Sequence, residues 1–245
     1  MLKSHLLPCS GKKRIPDGAT SVIVALFPYY LGEDATLNAN VSRYAAVPDY
    51  HELVLNRLNT AIEQLKNEFP AESFAAFTDN SPVPEVRAAA QAGLGVVGEN
   101  NLLINPEYGS WVFIGEIITT LQIKPQKYTG LHRCIGCGKC VAVCPTSILG
   151  RLEFDRTKCL SHITQSKGEL TPEQAKLIKS GGSAWGCDIC QLVCPMNNNA
   201  AIMPLEEFKT DIRLQVKPGD DIEGRAWAWR GRRVIERNLK ILQGE

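Results

Sequence analysis

Two short cysteine runs constrain this chain more than any other feature of its sequence. The first reads CIGCGKCVAVCP, from Cys134 to Pro145, and the second reads CDICQLVCP, from Cys187 to Pro195. Eight of the nine cysteines lie between positions 134 and 194. Because the first residues lack the apolar stretch of a signal peptide, clustered cysteines are more typical here of metal ligation than of disulfides. We therefore interpret this region as a metal-binding domain.

The spacing of the first run favours iron–sulfur clusters over zinc. Its pattern, C-x2-C-x2-C-x3-C-P, is that of two-cluster bacterial ferredoxins, in which three cysteines hold one 4Fe-4S cluster and the fourth holds the other. Zinc sites usually pair two CxxC units and need neither the third close cysteine nor the final Cys-Pro. By the same rule, Cys194, which precedes Pro195 at the end of the second run, is a ligand of the first cluster. The predicted ligands of cluster 1 are Cys134, Cys137, Cys140 and Cys194.

The second run is one cysteine short of a complete set. Cys159, in the stretch RTKCLSH, is the nearby candidate for the missing ligand. The predicted ligands of cluster 2 are therefore Cys144, Cys159, Cys187 and Cys190. This assignment uses eight cysteines for two clusters and leaves Cys9 outside them.

Helices and strands alternate in the segment that precedes the cysteines. Apolar residues recur every three or four positions after Asp49, as on one face of a helix, and Asp49 itself is a suitable N-cap. The β-branched run SVIVALFP predicts a buried strand. The predicted elements are a strand at 21–28, a helix at 49–69, a strand ending at Asp79, a helix at 82–92 and a β-hairpin at 100–120 with its turn at 106–109.

This order of elements predicts an α+β fold in three parts. Residues 1–125 would form an α/β layered domain that binds a cofactor or substrate, and residues 126–200 a ferredoxin-like domain with two 4Fe-4S clusters. Residues 201–245 would form a C-terminal tail with a basic helix. Inside the cluster domain, TPEQAKLIKSGG predicts a helix capped by Thr171, with Pro172 in its first turn.

The overall composition excludes several functions. The formal net charge is +1, so no global charge draws the chain to nucleic acid or to anionic membranes. No apolar run in the sequence reaches the length of a membrane span. We expect a cytoplasmic protein without a membrane partner, in which contact with nucleic acid depends on a local patch.

Three further signals in the first domain are weaker. GLGVVG (93–98) fits the dinucleotide-binding pattern, but it follows a predicted helix and precedes a strand, which is the reverse of the order that the mechanism needs. DYHELV (49–54) resembles the start of a cobalt-ligating histidine motif, but Val54 stands where that motif has glycine. Asp79 and Glu116 could be structural carboxylates. Asp79 is the more interesting of the two because it ends a strand.

Longer stretches carry a resemblance to a known family. They are RYAAVPDYH, FTDNSPVPE, AGLGVVGENNLLINPEYGSWVFIGEIITT, TKCLSHIT and GCDICQLVCPMN. Together they resemble the epoxyqueuosine reductases, cobalamin-dependent enzymes of queuosine synthesis in tRNA, over residues 21–245 and most specifically over 79–196. Reductive dehalogenases share the plan of a cobalamin domain with two clusters and are more distant. The isolated cysteine ahead of a shortened second run is part of the resemblance.

The resemblance implies a cofactor set, a reaction and partners. A cobalamin in the first domain would be reduced through the two 4Fe-4S clusters and would remove the epoxide oxygen of epoxyqueuosine in the tRNA anticodon loop. Asp79 matches the proposed proton donor of the family. A low-potential donor such as ferredoxin or flavodoxin would supply electrons. The residues implied along the cobalamin site are Gly98, Asn100, Leu102, Ser110 and Trp111, with Arg43, Tyr44, Asp49, Tyr50 and His51 near the pocket.

Two departures from the family keep alternatives open. Glu99 stands where members commonly carry lysine, and the helical repeats with which longer members grip tRNA have no counterpart here. The basic C-terminal stretch would contact RNA or would be a solvated helix packed on the core; it contains Arg225, Arg230, Arg232, Arg233, Arg237 and Lys240. The alternatives to an epoxyqueuosine reductase are a related cobalamin reductase for a small molecule and a two-cluster electron carrier without cobalamin.

Overall fold

An antiparallel sheet organises the first half of the chain. In the computed structural model, which describes residues 15–32, 38–124, 133–150 and 153–244, strand β5 (Val112–Thr119) lies between β1 (Ser21–Pro28) and β2 (Phe74–Thr78). The register of β1 and β5 runs from Ser21 opposite Thr119 to Pro28 opposite Val112. β-Branched and aromatic residues dominate these strands, which suits the pleated surface of a sheet. The predicted strand at 21–28 is therefore present, and so is the strand predicted to end at Asp79, which stops one residue earlier, at Thr78.

After the single turn of α1 (Arg43–Ala46), helix α2 (Tyr50–Glu68) covers one face of this sheet. Its buried residues Tyr50, Val54, Leu58 and Ile62 follow one another every four positions and so form one stripe. The Asp49 side chain accepts a hydrogen bond from the His51 amide at 3.1 Å and caps the helix. A methyl group on Gly115 would lie 2.9 Å from Val54. The glycine thus lets the helix approach the central strand closely.

Helix α3 (Glu85–Gln91) packs against β5 from the other side. Phe113 and Ile117 of β5 belong to the main core with α2, so the alternation of a strand turns Glu116 to the opposite face. Ala89 of α3 is fully buried. The sheet is therefore covered by a helix on each face, in agreement with the predicted layered α+β class.

The predicted β-hairpin over 100–120 is wrong, because its two strands do not pair with each other. Strand β4 (Leu103–Ile104) pairs with β3 (Val96–Val97), whereas β5 joins the main sheet. Only a bridge between Asn105 and Gly109 closes the predicted turn. The prediction of a buried strand at 21–28 was also too strong, since most of β1 is only partly buried.

Short helices carry the two cysteine runs. They are α4 (Lys139–Val143), α5 (Leu160–Gln165), α6 (Pro172–Gly181) and α7 (Ile189–Leu192), with 3-10 turns at Arg156–Lys158 and Pro195–Asn197. Helix α6 begins with a complete capping box between Thr171 and Gln174 and ends at Gly182, whose φ is 68°. Both ends of this helix are as its sequence predicts.

The C-terminal segment packs into the core of the chain. After 3-10 turns at Glu206–Lys209 and Ala228–Arg230, helix α8 (Arg232–Gln243) buries Val234, Ile235 and Leu239 in the cluster that contains the α2 stripe. The fully buried amide of Asn238 donates to the carbonyls of Thr164 at 2.7 Å and Ala184 at 2.8 Å. The division at 125 and 200 stays a prediction. None of the described helices has the length and hydropathy needed to cross a bilayer.

We predict that the Thr171 cap contributes measurably to stability. Thr171→Ala removes the acceptor for the Gln174 amide at an exposed helix start, so the free energy of unfolding should fall by about 1 kcal/mol. Urea unfolding followed by circular dichroism measures the change. Thr171→Ser keeps the oxygen and serves as the control. Equal losses in both variants would contradict the prediction.

Candidate functional site

The structure gathers the thiols of the second predicted set around one cavity. Cys144, Cys159, Cys187 and Cys190 all line a space of about 320 Å³. Burial raises the pKa of Cys187 to about 11 and that of Cys190 to about 12. These thiols are therefore protonated in the absence of a cation, and metal binding must release their protons.

The thiols of the first predicted set also lie near one another. Cys194 is buried against Val96 and Ile104 with Cys134 packed beside it, and the charges of Cys137 and Cys134 act on its thiol. The seven cysteines of the two runs and Cys159 are all free thiols. Within the described ranges, no group of three His, Cys, Asp or Glu side chains is placed to hold a single metal ion.

Residues implied along the cobalamin site share the cavity of the second thiol set. Asn100, Leu102, Ser110 and Tyr44 line it. The buried Nδ2 of Asn100 has no hydrogen-bond partner among the described residues, as expected of a donor whose acceptor belongs to a bound group. Eight free thiols and this unpaired amide fit the two clusters and an amide-rich corrin.

Other residues of the implied set stand behind the cavity wall. Trp111 is buried and stacks on Tyr30, with ring centroids 5.6 Å apart, and the Arg43 guanidinium lies 4.9 Å from its ring. Gly98 makes room for the Asn100 side chain, whose Oδ1 would lie 2.3 Å from an added methyl group. Glu99 is exposed. Burial raises the pKa of the Cys140 thiol, and the Glu99 charge adds to this shift.

A buried polar network joins the second cysteine run to the first domain. The Arg43 amide donates to Asp188 at 2.7 Å, and Gln191 donates to the same carboxylate at 3.3 Å. The Ser110 hydroxyl donates to Gln191 at 2.9 Å, and Asn197 donates to the Ser110 hydroxyl at 2.9 Å. Burial raises the pKa of Asp188 to about 6, against the opposing effect of Arg43. The network fixes the cysteine run against the turn that precedes β5.

A second constellation lies at the end of β2. The Tyr50 hydroxyl donates to Asp79 Oδ2, and His51 Nε2 lies 3.1 Å from the same oxygen. His51 Nδ1 lies 2.6 Å from Asp49 Oδ1. The Asp79 side chain is 43% exposed and is thus accessible from solvent. The structure brings four of the sequence-predicted residues into one hydrogen-bonded group.

The charge state of this group follows from its contacts. Burial lowers the pKa of His51, but hydrogen bonds with Asp49 and Asp79 outweigh burial and raise it to about 9. His51 is therefore an imidazolium at neutral pH. Burial, and then the Asp79 charge, raise the pKa of Tyr50 far above its usual value, so its hydroxyl stays a donor. Tyr50 in turn forms an edge-on ring pair with Tyr44, at 6.4 Å, and Tyr44 reaches the cavity.

Sequence reasoning missed several residues of the two sites. Tyr29 and Gln191 line the cavity, and the Glu85 carboxyl lies close to Asp79. Only Gln191 carried a usable signal, because it lies inside the second cysteine run. The buried carboxyl Glu116 accepts a hydrogen bond from Ser81, a contact that connects distant parts of the sequence.

Known proteins share both parts of this arrangement. A family model described as Epoxyqueuosine reductase QueG, DUF1730 matches residues 12–80, and a model of a 4Fe-4S double cluster binding domain matches residues 133–197. The epoxyqueuosine reductase of Cyclobacterium marinum is 34% identical over 219 residues, which cover 88% of this chain and 68% of that protein. That of Leadbetterella byssophila is 36% identical over 206 residues, covering 83% of this chain and 67% of that protein. The chain belongs to the epoxyqueuosine reductase family.

Solved epoxyqueuosine reductases have the same fold. The enzyme from Streptococcus thermophilus aligns with a TM-score of 0.78 and 27% identity over 93% of this chain and 65% of that chain. An epoxyqueuosine reductase crystallised with an epoxyqueuosine-modified tRNA-Tyr stem loop aligns with a TM-score of 0.76 and 26% identity, over 90% of this chain and 63% of that chain. This chain spans 59% of the curated relative from Lactococcus garvieae, which is 36% identical over 212 residues covering 80% of this chain.

Family membership settles part of what the sequence predicts. The predicted α+β fold class with a two-cluster domain is confirmed, and so are the predicted cofactors, two 4Fe-4S clusters and cobalamin. An oxidoreductase is the enzyme class of the epoxyqueuosine reductase family. The roles of individual site residues, including the partition of the eight thiols, stay predictions.

We predict that the Asp79 carboxylate maintains the high pKa of His51. Asp79→Asn removes one of the two carboxylates that favour the imidazolium, so the pKa of His51 should fall below its value of about 9. NMR titration of the four histidines measures this shift, with the other three as internal controls. An unchanged His51 titration would show that Asp79 does not contact the ring in solution.

Proposed function

We propose that this chain reduces the epoxide of epoxyqueuosine in the tRNA anticodon loop to the alkene of queuosine. The reaction consumes two electrons and two protons and releases the epoxide oxygen as water. The observation that carries the proposal is the Asp79 group, in which Tyr50 and protonated His51 meet one carboxylate. Through Tyr44, this group adjoins the cavity lined by thiols.

The proposed cofactor ligands are those assigned from the sequence. Cobalamin, when bound, supplies a low-potential cobalt centre for removing oxygen from carbon. Asn100, Leu102, Ser110 and Tyr44 would line its site, and Gly98, Trp111 and Arg43 would support that lining. The first cluster would be held by Cys134, Cys137, Cys140 and Cys194, and the second by Cys144, Cys159, Cys187 and Cys190. The two clusters would carry electrons toward the cavity.

Asp79 is the proposed proton donor to the leaving oxygen. An oxygen that leaves carbon must be protonated, and a positioned carboxylic acid lowers that barrier. The proton on His51 Nε2 lies on the hydrogen bond to Asp79 Oδ2, so a proton given to the leaving oxygen can be replaced from the imidazolium. Asp49 holds the other ring nitrogen and fixes the orientation of the ring.

The proposed substrate is supported by a relative and by one surface of this chain. A related structure contains an epoxyqueuosine-modified tRNA stem loop. On this chain, Arg233, Arg237 and Lys240 of α8 line a surface groove. Nearby along the chain, Trp229 is 58% exposed and lies under the Arg230 guanidinium at 3.8 Å. Cationic side chains beside an exposed ring suit phosphates and bases.

The remaining partners follow from the chemistry. A low-potential donor such as ferredoxin or flavodoxin would reduce the clusters, and the cytoplasm, where tRNA resides, is the proposed location. A second candidate is a cobalamin reductase for a small molecule.

We predict that the chain restores queuosine to tRNA in cells that lack their own epoxyqueuosine reductase. Nucleosides from digested tRNA are measured by mass spectrometry. Asp79→Asn, at equal iron and cobalamin content, should lower the rate of queuosine formation by about 10²-fold or more, because general acid catalysis supplies that factor.

Three outcomes would contradict the proposal in different ways. Failure of fully loaded wild-type protein to form queuosine would exclude tRNA epoxyqueuosine as the substrate and favour a small molecule. Full activity of Asp79→Asn would leave the reaction intact but remove the acid role of Asp79. Failure of anaerobic protein to retain added cobalamin would favour an electron carrier.

A further inference from the structure

Asp79 lies in an unusual backbone conformation. Its φ is 47°, and that of the next residue, Asn80, is 44°. Both values fall in the left-handed region, which among residues with a Cβ is adopted mainly by Asn and Asp. Two such residues in succession persist where surrounding contacts hold them. The contacts of the loop that carries Asp79 therefore decide where its carboxylate lies.

One such contact follows the left-handed pair directly. The Ser81 hydroxyl donates a hydrogen bond to Glu116 Oε2 and accepts one from the Val83 amide at 3.2 Å. Glu116 lies on the central strand β5, opposite Phe77, and its side chain is fully buried. A carboxyl on the middle strand of the sheet is a rigid anchor. Its partner in the register, Phe77, lies one position before the end of β2.

Helix α3 places a second buried carboxyl beside this loop. Glu85, in the first turn of that helix, lies close enough to Asp79 for the Asp79 backbone to act on its pKa. Burial raises the pKa of Glu85 to about 8, with the charges of Asp79 and Glu116 adding to the effect. Burial likewise raises the pKa of Glu116 to about 7, although its bond with Ser81 opposes this. Burying a carboxyl is unfavourable compared with an apolar side chain, so both residues need a reason to be there.

We propose that Glu116 is a positioning residue, which through the Ser81 hydroxyl holds the left-handed turn of Asp79 and Asn80 so that the Asp79 carboxylate meets Tyr50 and His51. The inference deepens the proposed function, because it rests on Asp79 as the acid. Glu116 does not reach the substrate in this scheme and acts only through the position of Asp79.

Ser81→Ala tests the proposal with a small change. The variant removes the hydroxyl that joins the loop to Glu116 and adds no bulk. If the turn relaxes, Asp79 leaves His51, and the pKa of His51 should fall from about 9 toward its value in Asp79→Asn. NMR titration reads this shift without any cofactor. The matched control is Thr78→Val, which deletes a neighbouring hydroxyl that donates only to the Ile114 carbonyl, at 3.2 Å.

Activity gives a second, independent readout. In protein with equal iron and cobalamin, Ser81→Ala should lower kcat at least tenfold with little change in KM, whereas Thr78→Val should retain wild-type turnover. Because Ser81 acts through Asp79, adding Ser81→Ala to Asp79→Asn should cause no further loss of activity. A folded state is verified for each variant by its thermal unfolding midpoint.

The outcomes separate this inference from the function on which it rests. An unchanged His51 pKa in folded Ser81→Ala would overturn the inference, whatever the activity. A further loss of rate in the double variant would also overturn it, because Ser81 would then act by another route. A lowered His51 pKa with full turnover would support the positioning role and would instead contradict the acid role of Asp79.

Discussion

The rest of the structure depends on the buried hydrogen-bond network that joins the second cysteine run to the sheet domain. Asp188, between two of the predicted cluster ligands, accepts a hydrogen bond from the Arg43 amide. The Ser110 hydroxyl donates to Gln191 and accepts from Asn197. Buried polar groups of this kind tolerate little displacement, because a lost partner leaves an unpaired group in the interior. The network therefore fixes the thiol-lined cavity beside the residues implied for cobalamin.

The two halves of the proposed chemistry meet across a pair of tyrosines. Electrons would arrive from the thiol side, where burial raises the pKa of Cys187 and Cys190. Protons would arrive from the Asp79 side, where two carboxylates keep His51 charged. Tyr44 lines the cavity and packs edge-on against Tyr50, which donates to Asp79. The ring pair of Tyr44 and Tyr50 thus connects the proposed source of electrons with the proposed source of protons.

Local signals in the sequence predicted much of this molecule. The cysteine spacing, the α2 stripe and the Thr171 cap depend on neighbours a few residues away, so they could be recognised without the fold. The hairpin at 100–120 failed because tertiary pairing took β5 into the main sheet and left β4 with β3. The hydrogen bond between Ser81 and Glu116 joins residues 35 positions apart in the sequence, and no local pattern predicts such a contact. For the basic helix α8, the sequence left open whether it contacts RNA or packs on the core. The structure buries its apolar face in the core.

The central claim is that eight cysteines hold two clusters, with ligands exchanged between the two runs. The most direct test is the metal content of anaerobically prepared protein, wild-type and Cys159→Ala, combined with electron paramagnetic resonance of the reduced state. The account predicts about eight iron atoms per wild-type chain and about four in the variant, which keeps cluster 1. Zinc in place of iron, or a variant that retains both clusters, would contradict it.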